Sequence, residues 1–175
     1  MEKTSDNDTN EDFIEIRQIM PEDKIPLQVG LQMLSPESIR QRFFASKKEF
    51  TENELKFLTE VDQINHLAYV AVHHLDGKQL PGGVIRAIKN VERPTYAEIG
   101  ITIVDRYQGK GVGIRLFNTI CERALEVGFT HIYGEYHTSN LKMTKLLEKF
   151  TKPRGPIFLK HTGDGFIYFE APLKS

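Results

Sequence analysis

The chain has 175 residues, of which 39% are hydrophobic and 27% charged, and its formal net charge is −1 at pH 7. This length and composition are typical of one globular domain that buries its own core. The near-neutral charge supplies no broad positive field, so we expect neither a nucleic acid nor a membrane as a partner. The single cysteine, Cys121, excludes an internal disulfide framework and a multi-cysteine zinc site, and we expect no metal ion.

The N-terminal segment is polar and acidic and lacks the apolar centre of a signal peptide. We therefore predict a disordered lead-in at 1–12, followed by one domain at 13–175. No apolar run approaches the length of a membrane span. Together with the single thiol, which suits a reducing compartment, these features predict a cytoplasmic protein. The oligomeric state stays open.

A strand and three helices are predicted in the first third of the chain. Alternating apolar residues predict the strand over Phe13–Ile19. Ser35 before Pro36 is a predicted N-cap, and Thr51 with Glu54 forms a predicted capping box. The three helices are expected to begin at Pro21, at Pro36 with an end near Ser46, and directly after Thr51.

Six strands and two helices are predicted in the rest of the chain. Gly100 interrupts the third of these strands, and Gly128 is a predicted C-cap of the longer helix. This order indicates an α/β fold with a mixed sheet, in which the long helix is a crossover between strands. The strands are His66–Leu75, Gly83–Val91, Tyr96–Val104, His131–His137, Pro156–Lys160 and Gly165–Pro172, and the helices are Gly111–Val127 and Asn140–Phe150.

The densest chemical signal is the segment Gln108–Gly113, with the sequence QGKGVG, between a predicted strand and the long helix. Its alternate glycines leave main-chain N–H groups unobstructed, and the helix adds its free N-terminal N–H groups and dipole. This predicts an anion site suited to phosphates, with Lys110 and Arg115 adding charge at its rim. The alternative is a tight turn without a ligand. Neither a P-loop nor a dinucleotide-binding fingerprint has this spacing.

The segment resembles the Q/R-x-x-G-x-G/A loop of the GNAT superfamily of N-acetyltransferases. The strand Glu98–Val104 and Asn140 also fall where that family has them. The resemblance spans about residues 13–172 and is most specific over 96–150. It implies a single-domain α/β fold, with a mixed, mostly antiparallel sheet of about seven strands flanked by helices, and acetyl-CoA as co-substrate.

The resemblance also implies which residues bind CoA. The main-chain amides of the loop would hold the CoA diphosphate, the backbones of two strand residues would pair with pantetheine, and an asparagine side chain would orient CoA. The implied residues are Ile101 and Ile103 in the strand, Gln108, Gly109, Lys110, Gly111, Val112 and Gly113 in the loop, and Asn140.

A narrower resemblance covers the segments 34–38, 42–44, 58–62 and 132–140. They are similar to the acetyltransferase domain of bacterial protein-lysine acetyltransferases, which act on acyl-CoA synthetases. This implies an amine acceptor, and a protein lysine in particular. A small amine, such as a polyamine or an amino sugar, is the alternative acceptor. A non-catalytic acyl-CoA sensor and a nucleotide-phosphate binder are alternatives of other classes.

Acetyl transfer to an amine needs a base, because a lysine side chain is protonated at pH 7 and losing that proton costs about 4–5 kcal/mol. Glu98 is the leading candidate. It lies two residues before Gly100 on one side of its strand, where apolar neighbours should make a carboxylate a better base. The subfamily resemblance implies a catalytic glutamate at this position. The structural alternatives are an ion pair with a cation on the neighbouring strand, such as Arg86, and a side chain that faces water.

Other residues near this strand are open to two interpretations. Glu135 on the next strand is an alternative base, and His137 is a further one. Gly100 indicates either a bulge that turns the Ile101 N–H toward the thioester carbonyl, or packing against a large side chain. Many family members have a tyrosine that protonates the leaving thiolate, and this chain has Leu147 at that place.

Overall fold

The fold is a single sheet with helices packed on it, as seen in a computed structural model that describes residues 12–174. Seven strands and five α-helices lie within that range. The strands are β1 (Asp12–Gln18), β2 (His66–Leu75), β3 (Lys78–Lys89), β4 (Tyr96–Ile103), β5 (His131–His137), β6 (Phe158–Thr162) and β7 (Phe166–Pro172). The helices are α1 (Lys24–Gln32), α2 (Pro36–Phe43), α3 (Glu52–Thr59), α4 (Val112–Glu126) and α5 (Leu141–Thr151).

The strand order across the sheet is β1-β2-β3-β4-β5-β7-β6. Every neighbouring pair is antiparallel except β4 and β5, which are parallel. Parallel neighbours require a crossover connection, and α4 supplies it, packing back on β2 and β3. The predicted α/β fold, with a mixed and mostly antiparallel sheet of seven strands, is confirmed.

The predicted caps of α2 and α3 are present. The Ser35 hydroxyl accepts a hydrogen bond from the Ser38 N–H at 3.2 Å. Thr51 and Glu54 form the reciprocal capping box, with bonds of 2.8 and 3.2 Å. Helix α2 ends earlier than predicted, because Phe44 adopts a left-handed conformation with φ of 57°.

Strand β3 begins at Lys78 rather than at the predicted Gly83. The strand starts directly after the turn at Asp76, and an irregularity in the register at Ala71 absorbs the extra residue. Gly82 lies at that irregularity, where an added Cβ would be 3.1 Å from the Ala71 carbonyl oxygen. Gly82 is therefore the extra residue of a bulge inside the strand, and the residues before it are already paired with β2.

The core lies between α4 and the sheet. Leu116, Ile120 and Ala124 are 0% exposed, in agreement with the predicted apolar face of this helix. Cys121 is 1% exposed beside them. Burial raises the pKa of its thiol to about 12, so the side chain is an unreactive core residue at neutral pH.

The structure bears on only one residue of the predicted disordered N-terminal segment. The lead-in at 1–12 lies outside the described residues except for Asp12, which begins β1 opposite Leu75. Strand β1 itself is shifted by one residue from the prediction. No helix within residues 12–174 has the length and apolar character that a bilayer span requires.

Candidate active site

The loop between β4 and α4 exposes its main chain. Gly109 and Gly111 have φ of 71° and 83°, a left-handed conformation that side chains with a Cβ rarely adopt. Gly111 is the N-cap of α4, and no described side chain caps this helix end. The first N–H groups of α4 and the positive end of its dipole are therefore available to an anion.

A cavity of about 270 Å³ opens in front of this loop, between α2, β4, α4 and α5. Lys110 is exposed and Val112 is 1% exposed in the core, and neither side chain lines this cavity. The structure thus brings most of the predicted CoA-binding residues to one place. Those that line it are Ile101, Ile103, Gln108, Gly109, Gly111, Gly113 and Asn140.

The Gln108 side chain braces the loop from within. Its Nε2 donates to the Ile103 carbonyl at 2.9 Å and to the Ser38 hydroxyl at 3.3 Å, and its Oε1 accepts from Lys142. One side chain therefore ties the loop to β4, α2 and α5. Its role in this structure is to hold the shape of the loop.

Asp105 fastens α2 to the same loop. Its carboxylate accepts from the Ser35 N–H at 3.1 Å, from the Ser35 hydroxyl at 2.7 Å and from the Ser38 hydroxyl at 3.0 Å. Burial works in the opposite direction, but these hydrogen bonds prevail and hold the pKa of Asp105 below its usual value. The N-terminus of α2 is thereby fixed at the edge of the cavity.

Asn140 is the N-cap of α5. Its Oδ1 accepts from the Met143 N–H at 3.1 Å, which leaves its NH₂ group without a partner among residues 12–174. Because Asn140 lines the cavity, that NH₂ group is available to a ligand there.

A row of lysines on α5 forms one wall of the cavity. Lys142, Lys145 and Lys149 are exposed and all line it. Their spacing of three and four residues places them on one helix face, a signal present in the sequence but missed there. Arg115, expected at the rim, instead donates to the Ile14 carbonyl in β1 at 2.9 Å. The positive charge therefore comes from α5 and not from the first turn of α4.

Strands β4 and β5 separate beside this cavity. Their pairing covers only Tyr96–Glu98 with His131–Tyr133. Within the part of the chain that the structure describes, the rest of β4, Ile99–Ile103, has no pairing partner in β5. The sheet therefore contains an opening that runs from the middle of β4 to the glycine loop.

The main chain of β4 faces this opening at the predicted positions. The Val104 N–H donates to the Gly82 carbonyl at 3.0 Å, on the β3 side. Backbone direction alternates along a strand, so Ile101 and Ile103 direct their N–H and C=O groups to the β5 side. The Ile103 carbonyl is already used by Gln108, so its N–H and both groups of Ile101 remain.

Glu98 lies at the inner end of this opening. Its register partners are Ile88 on β3 and Tyr133 on β5, and its side chain is exposed. The expectation that apolar neighbours bury the carboxylate is therefore wrong. Of the two structural alternatives, the ion pair fails, because Arg86 lies across from Gly100 and no ion pair joins it to Glu98 in the described chain. The alternative that the side chain faces water agrees with its exposure.

Comparison with known proteins identifies the family. Residues 33–151 match the acetyltransferase (GNAT) family over more than half of the chain. The chain belongs to the GNAT family. The resemblance predicted from the loop and from Asn140 is thereby confirmed.

Two curated relatives of this GNAT domain are acetyltransferases by name. Acetyltransferase Pat of Mycolicibacterium smegmatis is 28% identical over 134 residues, which is 77% of this chain and 39% of that protein. Acetyltransferase PA5475 of Pseudomonas aeruginosa is 30% identical over 131 residues, which is 75% of this chain and 70% of that protein. The chain thus spans well under half the length of the first relative.

Solved structures share the GNAT fold. The GNAT domain of S. lividans PAT superimposes with a TM-score of 0.78 at 22% identity, covering 93% of this chain and 96% of that one. The structure of yncA from Salmonella typhimurium, with its cofactor acetyl-CoA, gives 0.70 at 12% identity, covering 93% and 95%. At these identities the likeness shows the fold.

The contacts and exposure of the other candidate catalytic positions in the GNAT domain show what each side chain can do. Glu135 is exposed on β5, two residues beyond the register partner of Glu98, so both carboxylates share one sheet face. His137 Nδ1 accepts from the Ser139 N–H at 3.1 Å and therefore stabilises the turn after β5. Leu147 is 2% exposed, so a core side chain occupies the tyrosine position of other members.

Gly100 makes room for an arginine. The β3–β4 register is unbroken through this position, so the suggested bulge is absent from the described strands. A Cβ added to Gly100 would lie 2.6 Å from Nη2 of Arg42 on α2. The packing interpretation is therefore correct, and the large side chain is a cation that sequence reasoning did not connect with the site.

We expect the lysine row to contribute to ligand affinity. Replacing Lys145 and Lys149 together by glutamine should weaken acetyl-CoA binding about threefold to tenfold, because each exposed charge contributes a fraction of a kcal/mol. Calorimetric titration at 0.1 M and 1 M salt measures this, and the difference should shrink at high salt, where charges are screened. The Lys48/Lys152 double glutamine variant is the matched control, and an equal loss there would contradict the assignment.

Proposed function

We propose that this GNAT domain transfers the acetyl group of acetyl-CoA directly to a primary amine, with Glu98 as the general base. The observation that carries the proposal is the continuous opening between β4 and β5. It begins at the left-handed glycines before α4 and ends beside Glu98. A phosphate-bearing co-substrate held at one end would therefore extend its acyl end toward a carboxylate.

The residues at the glycine loop fit the CoA portion of the co-substrate. The free N–H groups at the start of α4 suit a diphosphate, and the α5 lysines add charge beside it. The Ile101 backbone and the Ile103 N–H suit the amide groups of pantetheine, and the Asn140 NH₂ group is a further donor. When bound, acetyl-CoA supplies an acetyl group activated as a thioester.

Glu98 has the position and chemistry of a base for the acceptor. Its exposed carboxylate, next to the strand opening, can take the proton of an incoming ammonium group directly or through a water. The nitrogen then forms the new C–N bond while the C–S bond breaks. Since a thiolate is a far better leaving group than an amine, the absence of a hydroxyl at Leu147 does not prevent the reaction.

Two acceptor classes remain within the proposal. The resemblance to bacterial protein-lysine acetyltransferases supports a lysine side chain of a protein. A small amine is supported by a different observation, namely a second cavity, mainly apolar, that adjoins the first through Arg42 and Thr102. A small amine could enter that second cavity as a whole, whereas a lysine side chain would remain attached to its protein.

A coupled assay of CoA release tests the proposal. Purified protein with acetyl-CoA should release CoA when primary amines are added, and the panel should include lysine-containing peptides and small amines. Acetyl-CoA binding without turnover of any amine would instead support a sensor. Calorimetric titrations with ATP and with acetyl-CoA test the alternative of a nucleotide binder. Under the proposed function, only acetyl-CoA should bind tightly.

A further inference from the structure

A second cavity of about 80 Å³ lies between the layer of α1, α2 and α3 and the face of the sheet that carries Glu98. Its walls are mainly apolar, with Leu31, Phe43 and Val84 among them. Arg42 and Thr102 line both this cavity and the one beside the glycine loop, so the two adjoin. A single water needs about 10–15 Å³ of such a cavity, so this space accommodates a group of several heavy atoms.

Arg86 is a buried cation in the wall of this cavity. It is 4% exposed, and its Nη1 donates to the Leu58 carbonyl at 2.6 Å. Its Nη2 is buried without a hydrogen-bond partner among residues 12–174. Burial, with a smaller effect from the nearby charge of Arg42, lowers the pKa of Arg86 to about 9, which still leaves it protonated at pH 7. A buried donor of this kind is costly unless a ligand pairs with it.

Arg42 brings a second guanidinium to the same place. It lies over Gly100, and Gly100 is the register partner of Arg86 on the neighbouring strand. Burial lowers the pKa of Arg42, while the negative charge of Glu98 opposes this shift. Beyond the Leu58 carbonyl, two adjacent guanidinium groups in an apolar space favour an anion, because a carboxylate can accept two parallel hydrogen bonds and offset their charge.

Apart from Glu98, the acidic groups near the arginines are already paired. Asp23, the one acid lining the cavity within the described chain, accepts two bonds of 2.8 Å from Arg17 and one of 2.7 Å from the Met20 N–H. Asp62 is used by backbone N–H groups, including that of His66. Burial and the Arg86 charge lower the pKa of His66 to about 4, so it is neutral at pH 7. The cavity therefore has a net positive wall.

We propose that this second cavity binds the carboxylate of the acceptor, and that the acceptor is a free α-amino acid with an apolar side chain. Arg86 and Arg42 hold the carboxylate, and the apolar walls take the side chain. The inference rests on the proposed function, because it names the acceptor class of the same transfer. The order of charges supports it, since a zwitterion places its ammonium group toward Glu98 and its carboxylate toward the two guanidinium groups.

The alternatives fit this cavity less well. A lysine within a protein has no free carboxylate near its amine, and a polyamine would bring positive charge against Arg42 and Arg86. In the reaction, the ammonium nitrogen loses one proton to Glu98 and the neutral amine forms the new bond to the acetyl carbon. The nitrogen loses a second proton as the C–S bond breaks, and this proton goes to the departing thiolate directly or through water. CoA leaves with the electron pair of the C–S bond, and the product is an N-acetyl amino acid.

The first test compares acceptors that differ only in the carboxylate. With acetyl-CoA saturating, kcat/KM for L-leucine and L-valine should exceed that for leucinamide and valinamide by about tenfold or more. Calorimetry with the CoA-saturated protein is a second readout that does not require turnover. Leucine should bind and leucinamide should bind at least about tenfold more weakly.

The second test removes the cations. Arg86→Met should bring the ratio of leucine to leucinamide close to one in both assays, and Arg86→Lys should restore part of it because the charge remains. If Arg86→Met does not fold, Arg42→Gln serves the same purpose, with acetyl-CoA affinity measured alongside. Arg123→Met is the matched control, since Arg123 also has a buried nitrogen without a partner in the described part of the chain but lines neither cavity. It should keep the full ratio.

The outcomes separate the inference from the proposed function. Equal use of leucine, leucinamide and a lysine peptide would overturn the inference and leave the transfer intact. Preference for succinyl-CoA over acetyl-CoA, abolished by Arg86→Met, would also overturn it by placing the carboxylate on the acyl group. If no amine is acetylated, the proposed function fails. The calorimetric comparison then still decides whether the cavity binds an amino acid.

Discussion

Replacing Glu98 by glutamine is expected to lower kcat for acetyl transfer by about 10²- to 10⁴-fold, the usual contribution of a positioned general base. Glutamine keeps the size and exposure of the side chain but cannot accept a proton. The affinity for acetyl-CoA should stay within about twofold, because Glu98 does not line the cavity beside the glycine loop. Steady-state CoA release measures the first quantity and calorimetry measures the second.

The pH dependence of this variant gives an independent check. Without the base, the rate depends on the small fraction of acceptor amine that is already neutral. As long as the pH is below the pKa of the amine, that fraction grows about tenfold for each unit by which the pH is raised. The activity of Glu98→Gln should therefore recover as the pH is raised, and the wild-type rate should change less.

The same substitution at Glu135 distinguishes the two candidate bases. Glu135 is exposed on the same face of the neighbouring strand, so Glu135→Gln makes an equivalent chemical change close by. We expect it to retain most of the activity. A large loss for Glu135→Gln together with a normal rate for Glu98→Gln would transfer the role of base to β5.

Replacing Gly111 by valine should weaken acetyl-CoA binding by about tenfold to a hundredfold. The reason is conformational, since no described atom lies within 4 Å of an added Cβ but φ is 83°. A β-branched residue resists this left-handed conformation, at a cost of about 1–3 kcal/mol, and relaxation would move the N–H groups that start α4. Calorimetry with acetyl-CoA measures the loss.

Gly77→Val is the matched control for this strain. Gly77 has φ of 71° in the turn between β2 and β3, and no described atom lies within 4 Å of its added Cβ. The two variants should lose similar thermal stability, but only Gly111→Val should lose affinity. Undiminished affinity in Gly111→Val, or an equal loss in Gly77→Val, would contradict the role of the loop as an anion site.

Local features of this protein were predictable from short stretches of sequence. The caps at Ser35 and Thr51 and the crossover helix α4 depend on residues within a few positions of one another. The bulge near Gly82 was missed, because the register between two strands depends on which residues pair across them. The exposure of Glu98 was only one of several open alternatives, since burial depends on what covers the sheet face.

The glycine loop is encoded in one contiguous segment, because its left-handed backbone and the free end of α4 arise from neighbouring residues. Its spacing was therefore enough to identify the family and the class of ligand. The arrangement of Arg42, Gly100 and Arg86 is different in kind, since helix α2 and strands β3 and β4 each contribute one member. No local sequence pattern predicts that residues from three separate elements come into contact. Packing of the helical layer on the sheet brings the two guanidinium groups together, and the charge they leave unpaired there points to a carboxylate.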